Sequence, residues 1–219
     1  YDFLFIHIQK TAGTSITQAL AGLKGSQFIT PPHLRLRDIR LKSASRPLIF
    51  AVVRNPWERM VSWYEMMLMK GMHNDFSRHL LRGAGPGNER ADFGTFIRRI
   101  EVIHETDVFE LAGSMLGTES EGMIIGDHYL KSLGFNQLDY ICDDGLICCD
   151  RVLRYERLDE DWIELCGALN LPGNLRLPWV NANPAPKPWR DYYAGAADRD
   201  WVAEVYARDI TYFGYRFVA

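Results

Sequence analysis

Two runs of consecutive apolar residues dominate the first quarter of the chain, and each is followed by a polar turn and a helical pattern. Residues 2–8 (DFLFIHI) predict a buried strand, residues 9–13 a turn, and residues 14–22 a helix. The run Leu48–Val53 (LIFAVV) predicts a second buried strand. Strands that are apolar at consecutive positions are typical of a parallel sheet covered on both faces.

A helix start follows the second strand directly. Asn55 is a residue type that caps helices and Pro56 suits the first helical position, so we predict a helix over residues 57–70. Residues 71–135 then mix glycine and proline with short helical patterns, among them residues 93–103. This stretch predicts a mostly helical insertion.

The last third of the chain returns to short strands. Residues 139–142 and 146–149 flank the turn sequence Asp143-Asp144-Gly145, which predicts a hairpin. The remaining predicted elements are a strand at 151–155, a helix at 158–168, a loop rich in proline and asparagine at 178–188, and a helix at 198–213. This order predicts an α/β fold with three layers and a central, mainly parallel sheet, in a single domain over residues 1–219.

Charge and cysteine usage narrow the classes of function. Because the net charge is −3, the chain has no overall basic field, so we expect no nucleic acid partner and expect any anion to be bound locally. The four cysteines are few for 219 residues and lack zinc-type CxxC pairs. This usage favours a reducing, cytoplasmic location, and no residue cluster suggests a metal.

The sequence predicts no membrane span. Its longest apolar runs are far shorter than the roughly 20 residues that a helix needs to cross a bilayer, and no signal peptide is recognisable. The chain opens at Tyr1 inside a predicted strand with no Met, which indicates that upstream residues were removed. The Golgi lumen is therefore the alternative location, if those residues carried an anchor. The oligomeric state stays open.

The turn between the first strand and its helix has the composition of an anion site. Its charged, hydroxyl-bearing and small residues are Lys10, Thr11, Ala12, Gly13, Thr14 and Ser15. The lysine supplies charge, the hydroxyls and helix N–H groups donate, and the small residues let the backbone approach a phosphate. The alternative is an ordinary capped helix. The Walker pattern is not met, since no glycine precedes Lys10 at the required distance, and this disfavours a P-loop kinase.

A second candidate anion site lies at the end of the second strand. Arg54 follows this strand, and Ser62 lies eight residues later on the next predicted helix. Ligands of open α/β sheets bind at the carboxyl ends of strands, and the planar arginine fork suits phosphate. Taken alone, the two residues are better explained as a strand-end ion pair and an ordinary helix serine.

Together the two segments resemble one family. HIQKTAGTS is similar to the 5'-phosphosulfate loop of sulfotransferases that use 3'-phosphoadenosine 5'-phosphosulfate (PAPS), above all of the carbohydrate type that includes heparan sulfate 6-O- and 2-O-sulfotransferases. VVRNPWERMVS is similar to the 3'-phosphate motif of the same family. The resemblance implies a P-loop-like site in which Lys10 and the residues after it bind the 5'-phosphate and the bridging oxygen. It also implies that Arg54 and Ser62 bind the 3'-phosphate.

The same resemblance assigns a catalytic base. In the heparan sulfate enzymes a histidine occupies the loop before the 3'-phosphate strand, and His33 lies at the corresponding position, 21 residues before Arg54. A near-neutral histidine is suited to removing the proton of an acceptor hydroxyl. His7, by contrast, is expected to lie inside the first strand and to pack or form a hydrogen bond in the core.

Two later segments extend the resemblance. Arg154-Tyr155-Glu156-Arg157-Leu158 resembles a strand-to-helix segment that carries an aromatic residue against the adenine, which implies that role for Tyr155. NANPAPKPW resembles the loop that closes over PAPS, which implies a 3'-phosphate contact for Lys187. This loop lacks the Arg-Lys-Gly triplet of cytosolic members.

The resemblance implies a sulfotransferase with PAPS as co-substrate, 3'-phosphoadenosine 5'-phosphate (PAP) as product, and a small-molecule or glycan hydroxyl as acceptor. Two alternatives stay open at this point. A nucleotide-dependent kinase would need a carboxylate for magnesium and the absent Walker glycine. A non-catalytic PAP-binding module would keep Lys10, Arg54 and Ser62 but could lose His33.

Overall fold

The structure is a computed structural model that describes residues 2–27, 33–39, 46–70, 80–83, 90–105, 133–178, 180 and 187–217. The chain divides into two compact units. The first is Tyr1–Asn55 with Asn136–Ala182, and the second is Pro56–Phe135 with Asn183–Ala219. Most of the predicted insertion at 71–135 lies outside the described residues, so this insertion and the single-domain organisation stay predictions.

Two strand–helix pairs open the chain, and the later elements are helices and short strands. In chain order they are β1 (Phe3–Ile6), α1 (Gly13–Ala21), β2 (Leu48–Val53), α2 (Pro56–Lys70), α3 (Phe93–Glu105), α4 (Leu138–Ile141), β3 (Cys142–Asp143), β4 (Leu146–Ile147), β5 (Arg151–Arg154), α5 (Leu158–Ala168), α6 (Ala196–Val205) and α7 (Ala207–Phe213). Short 3₁₀ helices lie at Leu36–Asp38, Tyr155–Arg157 and Trp189–Tyr192.

The first unit is built on a parallel sheet of β1, β2 and β5, with β2 in the middle. Phe3 pairs with Leu48 on one side of β2, and Phe50 pairs with Arg151 on the other. Residues 49–53 of β2 are all buried, as expected for a central parallel strand that is covered on both faces. The predicted α/β fold with a parallel sheet is confirmed.

The core of this unit forms where helices α1 and α5 cover the sheet. Ile16 and Leu20 of α1 and Trp162 and Leu165 of α5 cluster with Phe50 of β2. Burying each such side chain contributes about 1.5–3 kcal/mol relative to exposure. Since α1 is fixed in this way, the loop that precedes it is held at the carboxyl end of β1.

The predicted hairpin is present as β3 and β4. Cys142 pairs with Ile147 across a two-residue turn. Asp144 and Gly145 in this turn have φ angles of 46° and 78°. Positive φ at both central residues is the type I′ geometry that an Asp-Gly sequence favours.

The prediction of a strand at residues 139–142 is wrong, because α4 occupies Leu138–Ile141. The Asp139 carboxylate accepts a hydrogen bond from the N–H of Asn136 at 2.9 Å. A local bond of this kind from Asp to a nearby backbone N–H stabilises a helical turn in place of an extended strand.

Aromatic packing dominates the second unit. The Tyr64 ring on α2 lies 5.4 Å from the Phe93 ring and 5.2 Å from the Phe96 ring, both on α3, between ring centroids. It also lies 6.1 Å from the Tyr192 ring. These tilted and edge-to-face contacts join α2, α3 and the 3₁₀ helix Trp189–Tyr192 into one core.

The final helix predicted at 198–213 is in fact two helices, α6 and α7. They meet at Tyr206, which has φ and ψ of −106° and 26° and therefore leaves the helical conformation. Tyr206 is buried, and its hydroxyl donates to the carbonyl oxygen of Leu133. The prediction from helical periodicity did not anticipate this break.

Two kinds of feature are absent from the part of the chain that the structure describes. None of its helices combines the length and the apolar character required to span a bilayer. None of its His, Cys, Asp and Glu side chains forms a group of three or more suited to a metal ion. The four cysteines are free thiols, and burial raises the pKa of Cys149 to about 12. The predicted location and the expectation of no metal stay predictions.

Candidate active site

The loop between β1 and α1 leads into a helix N-terminus that no described side chain caps. Ala12 precedes Gly13, the first residue of α1, and the first intrahelical bond runs from the N–H of Ile16 to the Ala12 carbonyl at 3.3 Å. The N–H groups of Gly13, Thr14 and Ser15 therefore have no carbonyl partner within the helix. Thr14 is exposed, whereas Ser15 is buried. With the helix dipole, these amides can bind an anion.

Two residues of this loop have a left-handed backbone. The φ angles are 67° at Lys10 and 66° at Ala12. Such conformations cost on the order of 1–3 kcal/mol each for residues other than glycine and cluster at ligand sites. Thr11 between them is buried, and its hydroxyl donates to the Ile8 carbonyl at 2.9 Å. Thr11 thus stabilises the loop, and its contact with a phosphate stays a prediction.

Gly13 lies directly against the ring of His7. A Cβ atom at position 13 would lie 1.9 Å from Cδ2 and 2.0 Å from Nε2 of His7, so only glycine leaves room for the imidazole. The sequence predicts that Gly13 lets the backbone approach a phosphate closely. The structure shows a second reason for glycine here, namely room for the His7 ring. His7 itself follows the end of β1 and does not lie inside the strand as expected.

Gly13→Ala should lower the free energy of unfolding by about 1–3 kcal/mol, the usual cost of forcing an extra methyl group into a packed site. Gly22→Ala is the matched control just beyond the other end of α1, since a Cβ there would lie 3.7 Å from the Ala19 carbonyl oxygen, an ordinary contact. Urea unfolding of both variants measures the difference. Equal stabilities would contradict the close packing of His7 on Gly13.

His33 lies beside His7, the residue just before the loop between β1 and α1. Its Nδ1 is 3.0 Å from the carbonyl oxygen of His7, and the two ring centroids are 4.3 Å apart in an edge-to-face arrangement. A carbonyl oxygen only accepts hydrogen bonds, so neutral His33 holds its proton on Nδ1. The lone pair is therefore on Nε2, which is the atom able to accept a proton.

The His7 ring, half-buried against Gly13 and His33, gives stability a pH dependence. Burial, followed by the charge of His33, lowers the pKa of His7 from 6.5 to about 3. Between these values the unfolded chain binds a proton that the folded chain does not, so stability falls as the pH falls. We predict a slope from this residue that approaches about 1.4 kcal/mol per pH unit.

Chemical denaturation between pH 7 and pH 5 measures this slope. His7→Phe has no titrating group at this position and should show a shallower dependence of the unfolding free energy on pH. The other titrating groups are common to both proteins, so the difference in slope isolates His7. Parallel curves would contradict the lowered pKa.

Arg54 joins the segments that follow all three parallel strands. It comes directly after β2, and its Nη1 donates to the carbonyl oxygen of Lys10, beyond β1, at 3.3 Å. Its guanidinium carbon lies 3.9 Å from the centroid of the Tyr155 ring, directly after β5. The carboxyl ends of the sheet thus meet at one arginine, as expected for a ligand site of an α/β fold.

A protein-family model described as the sulfotransferase family matches residues 1–216. The chain belongs to the sulfotransferase family. The predicted family is therefore confirmed, and the activity is PAPS-dependent transfer of a sulfuryl group. This assignment excludes both alternatives, the nucleotide-dependent kinase and the non-catalytic PAP-binding module. Searches of curated proteins and of solved structures each gave no significant match.

Two of the residues predicted to bind PAPS belong to the second unit of this sulfotransferase. Ser62 is half-buried on α2. The Nζ of Lys187 donates to the Asp191 carbonyl at 2.8 Å and lies 4.5 Å from the centroid of the Tyr192 ring. The contacts of Ser62 and Lys187 with the 3'-phosphate stay predictions.

Two residues outside the predicted site contact residues of that site. His7 contacts His33, and the side chain of Gln137 forms hydrogen bonds with the backbone of Arg54. The motif HIQKTAGTS begins with His7, which is the signal that could have identified it. Gln137 is 83 residues from Arg54 and lies outside the motifs that resemble the family.

Proposed function

We propose that this sulfotransferase transfers a sulfuryl group from PAPS to a hydroxyl of a carbohydrate or glycolipid, with His33 as general base. The observation that carries the proposal is the hydrogen bond from Arg54 to the Lys10 carbonyl. It brings together, within the first unit, the residues assigned to opposite ends of the same nucleotide.

The residues at the carboxyl ends of the strands fit PAPS chemically. Lys10 and the first amides of α1 offer one positive charge and several N–H donors, which suits the 5'-phosphosulfate. Arg54 offers a planar fork, which suits the 3'-phosphate, and Tyr155 lies beside it with an aromatic ring of the kind that stacks on adenine. PAPS bound here would supply the sulfuryl group.

In the transfer, His33 removes a proton and Lys10 stabilises the developing negative charge. As the acceptor oxygen forms its bond to sulfur, His33 takes the hydroxyl proton on Nε2. The bond between sulfur and the bridging oxygen breaks, and its electron pair stays on that oxygen. Lys10 and the amides of α1 stabilise this charge, which remains on the 5'-phosphate of PAP. His33 then releases its proton to water.

The His7 carbonyl supports His33 in this role. Its contact with Nδ1 at 3.0 Å selects the tautomer whose lone pair is on Nε2, and it stabilises the imidazolium that forms when Nε2 takes a proton. The positive φ of His33, 68°, places the ring by means of an uncommon backbone conformation. Such a conformation is maintained where the surrounding structure requires it.

The carbohydrate acceptor follows from the resemblance of HIQKTAGTS, and of the position of His33, to the heparan sulfate enzymes. An assay with labelled PAPS and a panel of oligosaccharides, glycolipids and phenols tests it. We expect label on a sugar hydroxyl and one equivalent of PAP for each sulfate transferred. Transfer confined to phenols would contradict the proposed acceptor class. Absence of transfer to any acceptor, with PAP bound normally, would contradict the proposed reaction.

A further inference from the structure

The side chain of Gln137 binds both backbone polar groups of Arg54. Its Oε1 accepts the Arg54 N–H at 2.8 Å, and its Nε2 donates to the Arg54 carbonyl at 2.9 Å. Gln137 directly precedes α4 and is fully buried, with 0% of its surface exposed. One amide side chain thus forms the two hydrogen bonds that a neighbouring strand would otherwise form.

The need for such a side chain follows from the sheet. The pairing of β2 with β1 ends at Ala51, and its pairing with β5 ends at Val53. Arg54 lies beyond both ladders, where a partly buried N–H and C=O require partners. Gln137 supplies both, and the Glu156 carboxylate accepts the N–H of the next residue, Asn55. The backbone at the end of β2 is therefore held by side chains.

Holding this backbone also fixes the direction of the Arg54 side chain. The guanidinium contacts the Lys10 carbonyl at 3.3 Å and stacks on the Tyr155 ring at 3.9 Å. An arginine fork binds phosphate through two parallel hydrogen bonds, so a small change in its direction weakens both. A shift of the Arg54 backbone would therefore weaken the hydrogen bonds between its guanidinium and the phosphate.

We propose that Gln137 is a positioning residue that sets the affinity for the 3'-phosphate of PAPS through Arg54. The proposal rests on the proposed function, in which Arg54 binds that phosphate. This role in ligand affinity distinguishes Gln137 from residues that only stabilise the fold. Loss of a residue that acts through Arg54 lowers the affinity for ligands with a 3'-phosphate. It leaves the affinity for ligands without a 3'-phosphate unchanged.

Calorimetric titration of PAP and of adenosine 5'-phosphate (AMP), which lacks the 3'-phosphate, tests this role. Gln137→Ala should weaken PAP binding by about tenfold or more, the usual effect of losing a buried hydrogen-bonding partner, while AMP binding is unchanged. The double variant Arg54→Ala/Gln137→Ala should bind PAP no more weakly than Arg54→Ala alone, because residues that act as one unit are not additive. Equal losses for PAP and AMP, or additive losses in the double variant, would overturn the proposal.

Asp150→Ala is the matched control at the other end of β2. The Asp150 carboxylate accepts the N–H of Ile49 at 2.7 Å, so its removal also deprives a β2 backbone N–H of its side-chain partner. It should lower stability and leave the ratio of PAP to AMP affinity unchanged. If it lowers that ratio as Gln137→Ala does, the effect is general to the sheet and the proposal is wrong.

Two further variants keep the outcome clear. Gln137→Met preserves the length of the side chain but removes both the acceptor for the Arg54 N–H and the donor to its carbonyl, so it should fold and show a selective loss of PAP affinity if Gln137→Ala does not fold. A Gln137→Met protein that binds PAP as the wild type does would overturn the proposal. If Arg54→Ala lowers PAP and AMP affinity equally, the assignment of the 3'-phosphate to Arg54 fails, and the role of Gln137 fails with it. A selective loss in Arg54→Ala without one in the Gln137 variants overturns the Gln137 proposal alone.

Discussion

His33→Ala should reduce sulfuryl transfer on the order of 10²- to 10⁴-fold, the usual contribution of a positioned general base, while PAP affinity stays that of the wild type. The expectation follows from geometry, because the Nδ1 contact with the His7 carbonyl at 3.0 Å directs the basic lone pair to Nε2. Steady-state rates at saturating PAPS, with calorimetric binding of PAP, measure both effects. Activity close to that of the wild type would mean that another group takes the proton.

The pH profile adds a test of the same role. A base must be unprotonated before transfer, so the wild-type rate should fall as the pH falls and His33 takes up a proton. The residual activity of His33→Ala should lack this acid limb. An identical acid limb in both proteins would assign the pH dependence to another group.

Lys10→Ala should lower the turnover rate on the order of 10²- to 10³-fold, as expected when one preorganised donor to a developing negative charge is removed. PAP affinity should fall less, because in the proposed site the α1 amides remain to bind the 5'-phosphate and Arg54 remains to bind the other end of the nucleotide. Single-turnover measurements with labelled PAPS separate the chemical step from binding.

Lys24→Ala is the control for the loss of a positive charge, since Lys24 is exposed shortly after α1. It should leave both turnover and PAP affinity unchanged. Near-normal turnover in Lys10→Ala would rule out a role for Lys10 at the leaving oxygen. A loss of affinity as large as the loss of rate would make Lys10 a binding residue only.

The elements that carry the site are those with the strongest local signals in the sequence. Leu48–Val53 and Leu158–Ala168 form the strand and the helix with the predicted bounds. In the first case six consecutive apolar residues leave little alternative to a buried strand. The start of α1 was predicted within one residue, because small and polar residues interrupt the apolar run before Gly13.

Other features depend on contacts that the local sequence does not encode. Residues 139–142 have the composition of a strand, but a bond from the Asn136 N–H to Asp139 gives a helix instead. The need for glycine at position 13 depends on where the His7 ring packs. The pairing of Gln137 with Arg54 spans 83 residues and appears only when the chain has folded.

The most direct test of the central claim is a crystal structure of the protein with PAP. We predict the 5'-phosphate at Lys10 and the first amides of α1, and the 3'-phosphate on the guanidinium of Arg54. The Nε2 of His33 should face the 5'-phosphate side, where the sulfuryl group of PAPS would lie. PAP bound elsewhere, or bound here with only one of its two phosphate ends in contact with these residues, would contradict the account.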